Sequence, residues 1–182
     1  LLSSPWHEMR MCGLLIMVEH CKQTIKSSWV KLHSNEEGEQ TRKQNIELYL
    51  ANTDKINNWD LVDLSAPTIV GDYLVDKNRD ILYHLAASSL LWEQRISIVA
   101  TYAFIRNNDF DDTYKLAKIL LHHPHDLMQK AVGWMLREAG KRDKPRLMDF
   151  LDENSVDMPR TMLRYSIAKF TDMEREYYMK RT

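Results

Sequence analysis

From Met9 to Tyr178, apolar residues return every three or four positions, and that spacing admits little except amphipathic helices. Five glycines and five prolines in 182 residues are too few for a sheet protein with many tight turns, so an all-α fold is expected. The length suits one domain, or one short array of repeats. A chain with 44% hydrophobic and 28% charged residues can build a core, which excludes general disorder.

Helix signals follow one another along the chain. Ser4-Pro5-Trp6 reads as a cap with proline in the first turn of a helix running to Glu19. Ser34–Arg42 reads as either a loop or a helix start, and Asn45–Asn52 as helical. Asn57-Asn58 caps a helix through Asp63, and Pro67 is expected to bend or restart it. Asp80–Ala87 is a short helix and Leu91–Arg106 a long one. Asp109–Leu121 begins with acidic residues that suit a helix N-terminus. Asp126–Ala139 should stop at Gly140, and Asp143–Asp152, Met158–Lys169 and Asp172–Lys180 complete about ten helices with no convincing strand.

A weak repeat runs through these elements. Basic residues recur at Arg95, Lys130 and Arg164, steps of 35 and 34 residues. Helix pairs at that spacing suggest an α-solenoid of stacked antiparallel pairs, HEAT- or armadillo-like, with inner helices lining a concave face. The formal net charge is −1, so no global basicity announces a nucleic-acid partner. Placement matters more. Arg95, Lys130, Arg137, Lys141, Arg142, Arg160 and Arg164 fall near the ends of expected inner helices. On one face they would form a phosphate track; dispersed, they are solvated helix ends.

Several ordered motifs then carry a resemblance. They are Asn58-Trp59-Asp60-Leu61-Val62-Asp63 with Ser65-Ala66-Pro67, Trp92-Glu93-Gln94-Arg95-Ile96, Phe104-Ile105-Arg106, and Lys130 through Glu138. Gly140-Lys141, Met158 through Tyr165 and the opening Ser4-Pro5-Trp6-His7-Glu8 complete the set. Together they resemble the AlkD-like DNA alkylation repair family across essentially the whole chain. The resemblance implies a single HEAT-like domain spanning 1–182, with a curved cleft for duplex DNA. It also implies an additional N-terminal helical segment that this sequence does not display.

The activity implied is that of a DNA glycosylase for N3- and N7-alkylated purines in double-stranded DNA. Asp63 matches the family's catalytic carboxylate. Trp59 and Trp134 match two tryptophans that flank the damaged nucleotide's sugar, and Arg95 matches an arginine that holds backbone phosphate. Neither cofactor nor metal is implied, and the expected species is a monomer, cytoplasmic and nucleoid-associated in use.

The chemistry needs such residues. Breaking an N-glycosidic bond builds positive charge on the sugar. A cationic alkylpurine leaves as a neutral base, so no general acid is required. One ionised carboxylate, Asp63, can stabilise the cation and orient water, and a nearby cation such as Arg95 would favour its charged form. Trp59 and Asp63 are four apart and share a helix face, so an electron-rich indole would lie beside the electron-poor sugar.

Two other readings stay open at this point: a non-catalytic relative that binds damaged or branched DNA, and a protein-binding helical scaffold. Other signals are weaker. Cys12 and Cys21 form neither a disulfide framework nor a four-ligand zinc site. His122, His123 and His125 surround Pro124 in an expected loop and read as solvated rather than metal-binding. Asp60 points away from Asp63 around the helix and is given no chemical role.

Overall fold

A computed structural model describes residues 1–181. The chain is all-helical, with no strand among the described residues. The helices are α1 (His7–Gln23), α2 (Ser27–Val30), α3 (Asn35–Leu50), α4 (Trp59–Ala66), α5 (Asp72–Leu74), α6 (Asp80–Ala86), α7 (Leu91–Ala100), α8 (Tyr102–Arg106), α9 (Asp111–Ile119), α10 (Asp126–Gly140), α11 (Lys144–Asn154), α12 (Arg160–Ser166) and α13 (Asp172–Lys180).

Local chemistry sets these boundaries. Ser34 accepts the Glu37 N–H while Glu37 accepts the Ser34 N–H, a reciprocal cap that makes the ambiguous polar stretch the start of α3. Thr171 and Glu174 repeat this arrangement at α13. At α1 the cap is Trp6 rather than Ser4, and Pro5 precedes the helix. The Ser4 hydroxyl accepts the Trp6 N–H, and Arg10 takes the Ser4 and Pro5 carbonyls.

Pro67 does not break the chain's path. It lacks the N–H that would reach the carbonyl of Asp63, four residues back. The helix widens into a π turn over Pro67–Gly71 and then re-enters α5.

The expected helices differ in extent from the observed ones at several ends; the first runs on to Gln23, and Met158–Lys169 shortens to Arg160–Ser166. The long helix ending at Arg106 is divided at Thr101. There the Thr101 hydroxyl donates to the Ile98 carbonyl at 2.7 Å and the backbone N–H bonds the same residue, tightening the turn between α7 and α8. Gly140 is the last helical residue of α10, not a left-handed cap, since no glycine has positive φ. Its requirement is space: a Cβ there would sit 2.2 Å from the Leu147 side chain.

Packing forms a continuous row. α1 lies on α4, α4 on α7, α7 on α10, and α10 on α12, while α3, α6, α9 and α11 back individual members of that row. Leu14, Val62, Ile96, Met135 and Met162 are fully buried along it. Each such side chain contributes about 1.5–3 kcal/mol relative to exposure.

One close approach in the row is at Gly133. A Cβ on this residue would come within 2.5 Å of the Met162 carbonyl oxygen and of Tyr165 Cβ. Helix α12 therefore rests directly on the α10 backbone. We expect Gly133→Ala to lower stability by about 1–3 kcal/mol, because the obstructing atoms include backbone. Urea unfolding with an unchanged midpoint would show that α12 moves aside without cost.

Candidate active site

Four helices of the row deliver side chains to one cleft of about 400 Å³, lined by Trp59, Asp63, Arg95, Leu127, Lys130, Trp134, Arg137 and Tyr165. Asn58 caps α4 by accepting the Trp59 N–H at 2.8 Å, which fixes where this helix begins. One turn later comes Asp63, on the same face. Leu61 and Val62, between them, point into the core and are fully buried. Trp59 is half exposed, so its indole is a wall of the cleft and not a core residue.

Asp63 is gripped by Arg95 from α7. Arg95 Nε–H donates to Oδ1 at 2.9 Å and Nη2–H to Oδ2 at 2.8 Å, a two-pronged charge-assisted contact. The third direction of the guanidinium is used as well, since Nη1–H donates to the Leu127 carbonyl at the start of α10. One side chain thus ties α4, α7 and α10 together. The Arg95 side chain is 6% exposed and the Asp63 side chain 18%, so the carboxylate is the partner an incoming ligand meets first.

Leu127 is itself held. Its N–H donates to Nδ1 of His125, which caps α10, and the His125 N–H donates to Nδ1 of His123. The remaining His123 nitrogen then carries the proton and donates to Gln94 at 2.8 Å. Burial, with His125 nearby, pushes the His123 imidazole below its ordinary range, which favours the neutral ring this role requires. The histidine loop is therefore part of the frame around Arg95, a role the sequence did not display. No cluster of metal-ligating side chains occurs among the described residues.

The opposite wall comes from α10. Trp134 is partly buried, backed by Tyr102 at a ring separation of 6.1 Å, and Tyr102 in turn carries the Arg106 guanidinium. Lys130, one turn earlier, pairs with Asp126 at 2.6 Å. Arg137 lies beside Glu138 at 3.4 Å.

Six of the nine residues singled out from the sequence meet in this cleft: Trp59, Asp63, Arg95, Lys130, Trp134 and Arg137. Lys141, Arg160 and Arg164 do not line it. Lys141 binds both carboxylate oxygens of Glu138, and the Arg160 guanidinium donates to the Met179 carbonyl. Arg164 is exposed and makes no ion pair among the described residues. Of the two roles expected for Arg95, the structure shows the cation beside Asp63. A phosphate-holding arginine would present its donors to solvent, whereas three of its N–H groups already have protein acceptors. Asp60 pairs with His7 of α1, away from the carboxylate of Asp63. Leu127 and Tyr165 were missed, because a leucine and a tyrosine at helical spacing read as core.

Comparison with known families bears on this geometry. The sequence model of the DNA alkylation repair enzyme family matches residues 1–170. The chain belongs to that family. No match was found among curated proteins. The family's description names an enzyme of DNA alkylation repair, so DNA is the partner it implies. No helix among the described residues is long and apolar enough to cross a membrane.

The ion pair gives this family member a measurable signature. Removing one partner of a buried pair leaves the other charge uncompensated, at a cost of about 3–5 kcal/mol. We expect Arg95→Ala to destabilise the protein by about that amount, and Arg95→Lys by less, since a point charge cannot serve both oxygens and the Leu127 carbonyl. Equal stability of Arg95→Ala and the parent in urea would contradict this reading of the pair.

Proposed function

We propose that this cleft hydrolyses the N-glycosidic bond of cationic N3- or N7-alkylated purines in duplex DNA, as a single chain with no metal or cofactor. On this reading the row of helices is a HEAT-like stack in one domain. Its concave side carries the cleft and a flanking basic track that includes Lys141, Arg160 and Arg164. The setting is the cytoplasm, on nucleoid DNA.

The observation that carries the reading is a carboxylate held by a buried arginine in a cleft that two indoles also line. As the C1′–N bond breaks, its electron pair passes to the purine and cancels the formal charge there. The sugar becomes oxocarbenium-like. Asp63, the more exposed member of its pair, opposes that charge, and opposite unit charges 4 Å apart interact by about 4 kcal/mol at an effective dielectric of 20. Trp59 and Trp134 present electron-rich faces to the same sugar, adding ~0.5–2 kcal/mol each. Water then adds to C1′, with Asp63 accepting its hydrogen bond and the released proton passing to solvent.

Arg95 enters as a positioning residue. Both carboxylate oxygens are fixed in direction before substrate arrives, so no reorganisation is needed as charge develops. Selectivity rests on the lability of the cationic nucleotide, with little reading of base edges.

The test is release of 7-methylguanine from a duplex bearing one such lesion, with EDTA present. We expect Asp63→Asn to lose at least about a hundredfold in single-turnover rate while still binding the duplex. The amide nitrogen introduced by this substitution would face a guanidinium N–H, costing about 1–3 kcal/mol, so the comparison belongs at a temperature where both proteins are folded. Equal rates would overturn the role of Asp63. No release by the parent, with binding intact, would favour a non-catalytic DNA-binding relative.

A further inference from the structure

Tyr165 stands in the cleft with no assigned task. It projects from α12 onto the same space as Trp59, Asp63 and Trp134. Its position is tightly specified, because its Cβ lies on the backbone of Gly133, the residue before Trp134. Both aromatic walls on this side are therefore set by a single helix contact. The residue is 37% exposed, and among the described residues its hydroxyl has no hydrogen-bond partner.

That hydroxyl is a neutral donor in charged company. Lys130 also lines the cleft, and its ammonium is favoured by Asp126. The Lys130–Asp126 pair is well exposed on both sides and exchanges readily for another anion. Deeper in the cleft, Asp63 and Arg95 satisfy one another. A free hydroxyl and an easily released ammonium thus line the same cleft, a donor set suited to phosphate oxygens rather than to an electron-poor sugar. A tyrosine ring also loses little conformational entropy on binding, having two side-chain torsions.

We propose that Tyr165 is a DNA-binding residue of this cleft, its phenol donating a hydrogen bond to a backbone phosphate beside the lesion, with Lys130 on the same phosphate group. This rests on the reading of the cleft as a DNA site. It also supplies the phosphate contact that the engaged guanidinium of Arg95 leaves unfilled.

The experiment uses the full chain and two duplexes. Excision from a 7-methylguanine duplex by the parent tests the glycosylase reading on its own. Binding is then measured with an uncleavable duplex carrying a tetrahydrofuran abasic analogue, over a range of salt. Tyr165→Phe removes one hydroxyl and keeps the ring. We expect affinity to fall roughly five- to tenfold with an unchanged salt slope, since a neutral donor releases no counterion. Lys130→Ala should lower the slope by about one.

A single methylphosphonate, moved in turn through the linkages flanking the analogue, identifies the partner. At one linkage the losses from the methylphosphonate and from Tyr165→Phe should fail to add. Unchanged affinity in Tyr165→Phe, or additive losses at every linkage, would overturn the inference whatever the excision result. Absence of excision by the parent would instead overturn the glycosylase reading, with Tyr165 judged by the binding cycle alone.

Discussion

A guanidinium between three helices is what the site depends on. Arg95 spends its N–H groups on both oxygens of Asp63 and on the Leu127 carbonyl, joining α4, α7 and α10 at one buried point. A pair this deep costs much in lost hydration, and only the satisfaction of several donors at once offsets that cost. Its return is directional. The carboxylate cannot swing, and its more accessible side faces the cleft.

The surrounding structure maintains that point. His125 caps α10 and holds the Leu127 peptide, while His123 and Gln94 brace His125. Pro67 leaves the Asp63 carbonyl without its usual donor, and the π turn that begins there carries the helix on into α5. Gly133 lets α12 close onto α10, bringing Tyr165 to the cleft that Trp134 also lines. Packing of ordinary apolar residues thus fixes a polar constellation to within a hydrogen bond's tolerance.

Much of this was legible in the sequence and some was not. The three- and four-residue apolar period gave the helices, and the four-residue step from Trp59 to Asp63 put both on one face. Membership in the DNA alkylation repair family followed from ordered motifs over most of the chain. Extents failed where side chains intervene: the Thr101 hydroxyl divides one helix, and Gly140 serves close packing rather than a left-handed cap. The Arg95–Asp63 pair spans 32 residues of sequence, so Arg95 could be named as a cation for Asp63 while its two-pronged grip, and the Leu127 carbonyl that completes it, showed in no local pattern. Tyr165 was hidden for the opposite reason, since an aromatic residue at helical spacing from Met162 reads as core.

The central claim is that Arg95 acts through Asp63. A double-mutant cycle on single-turnover excision of 7-methylguanine tests it most directly, using Arg95→Lys and Asp63→Asn alone and together. The account predicts that Arg95→Lys slows the parent but has almost no further effect in the Asp63→Asn background, because the group it orients has gone. Full additivity of the two losses would contradict the account and return Arg95 to an independent contact with DNA.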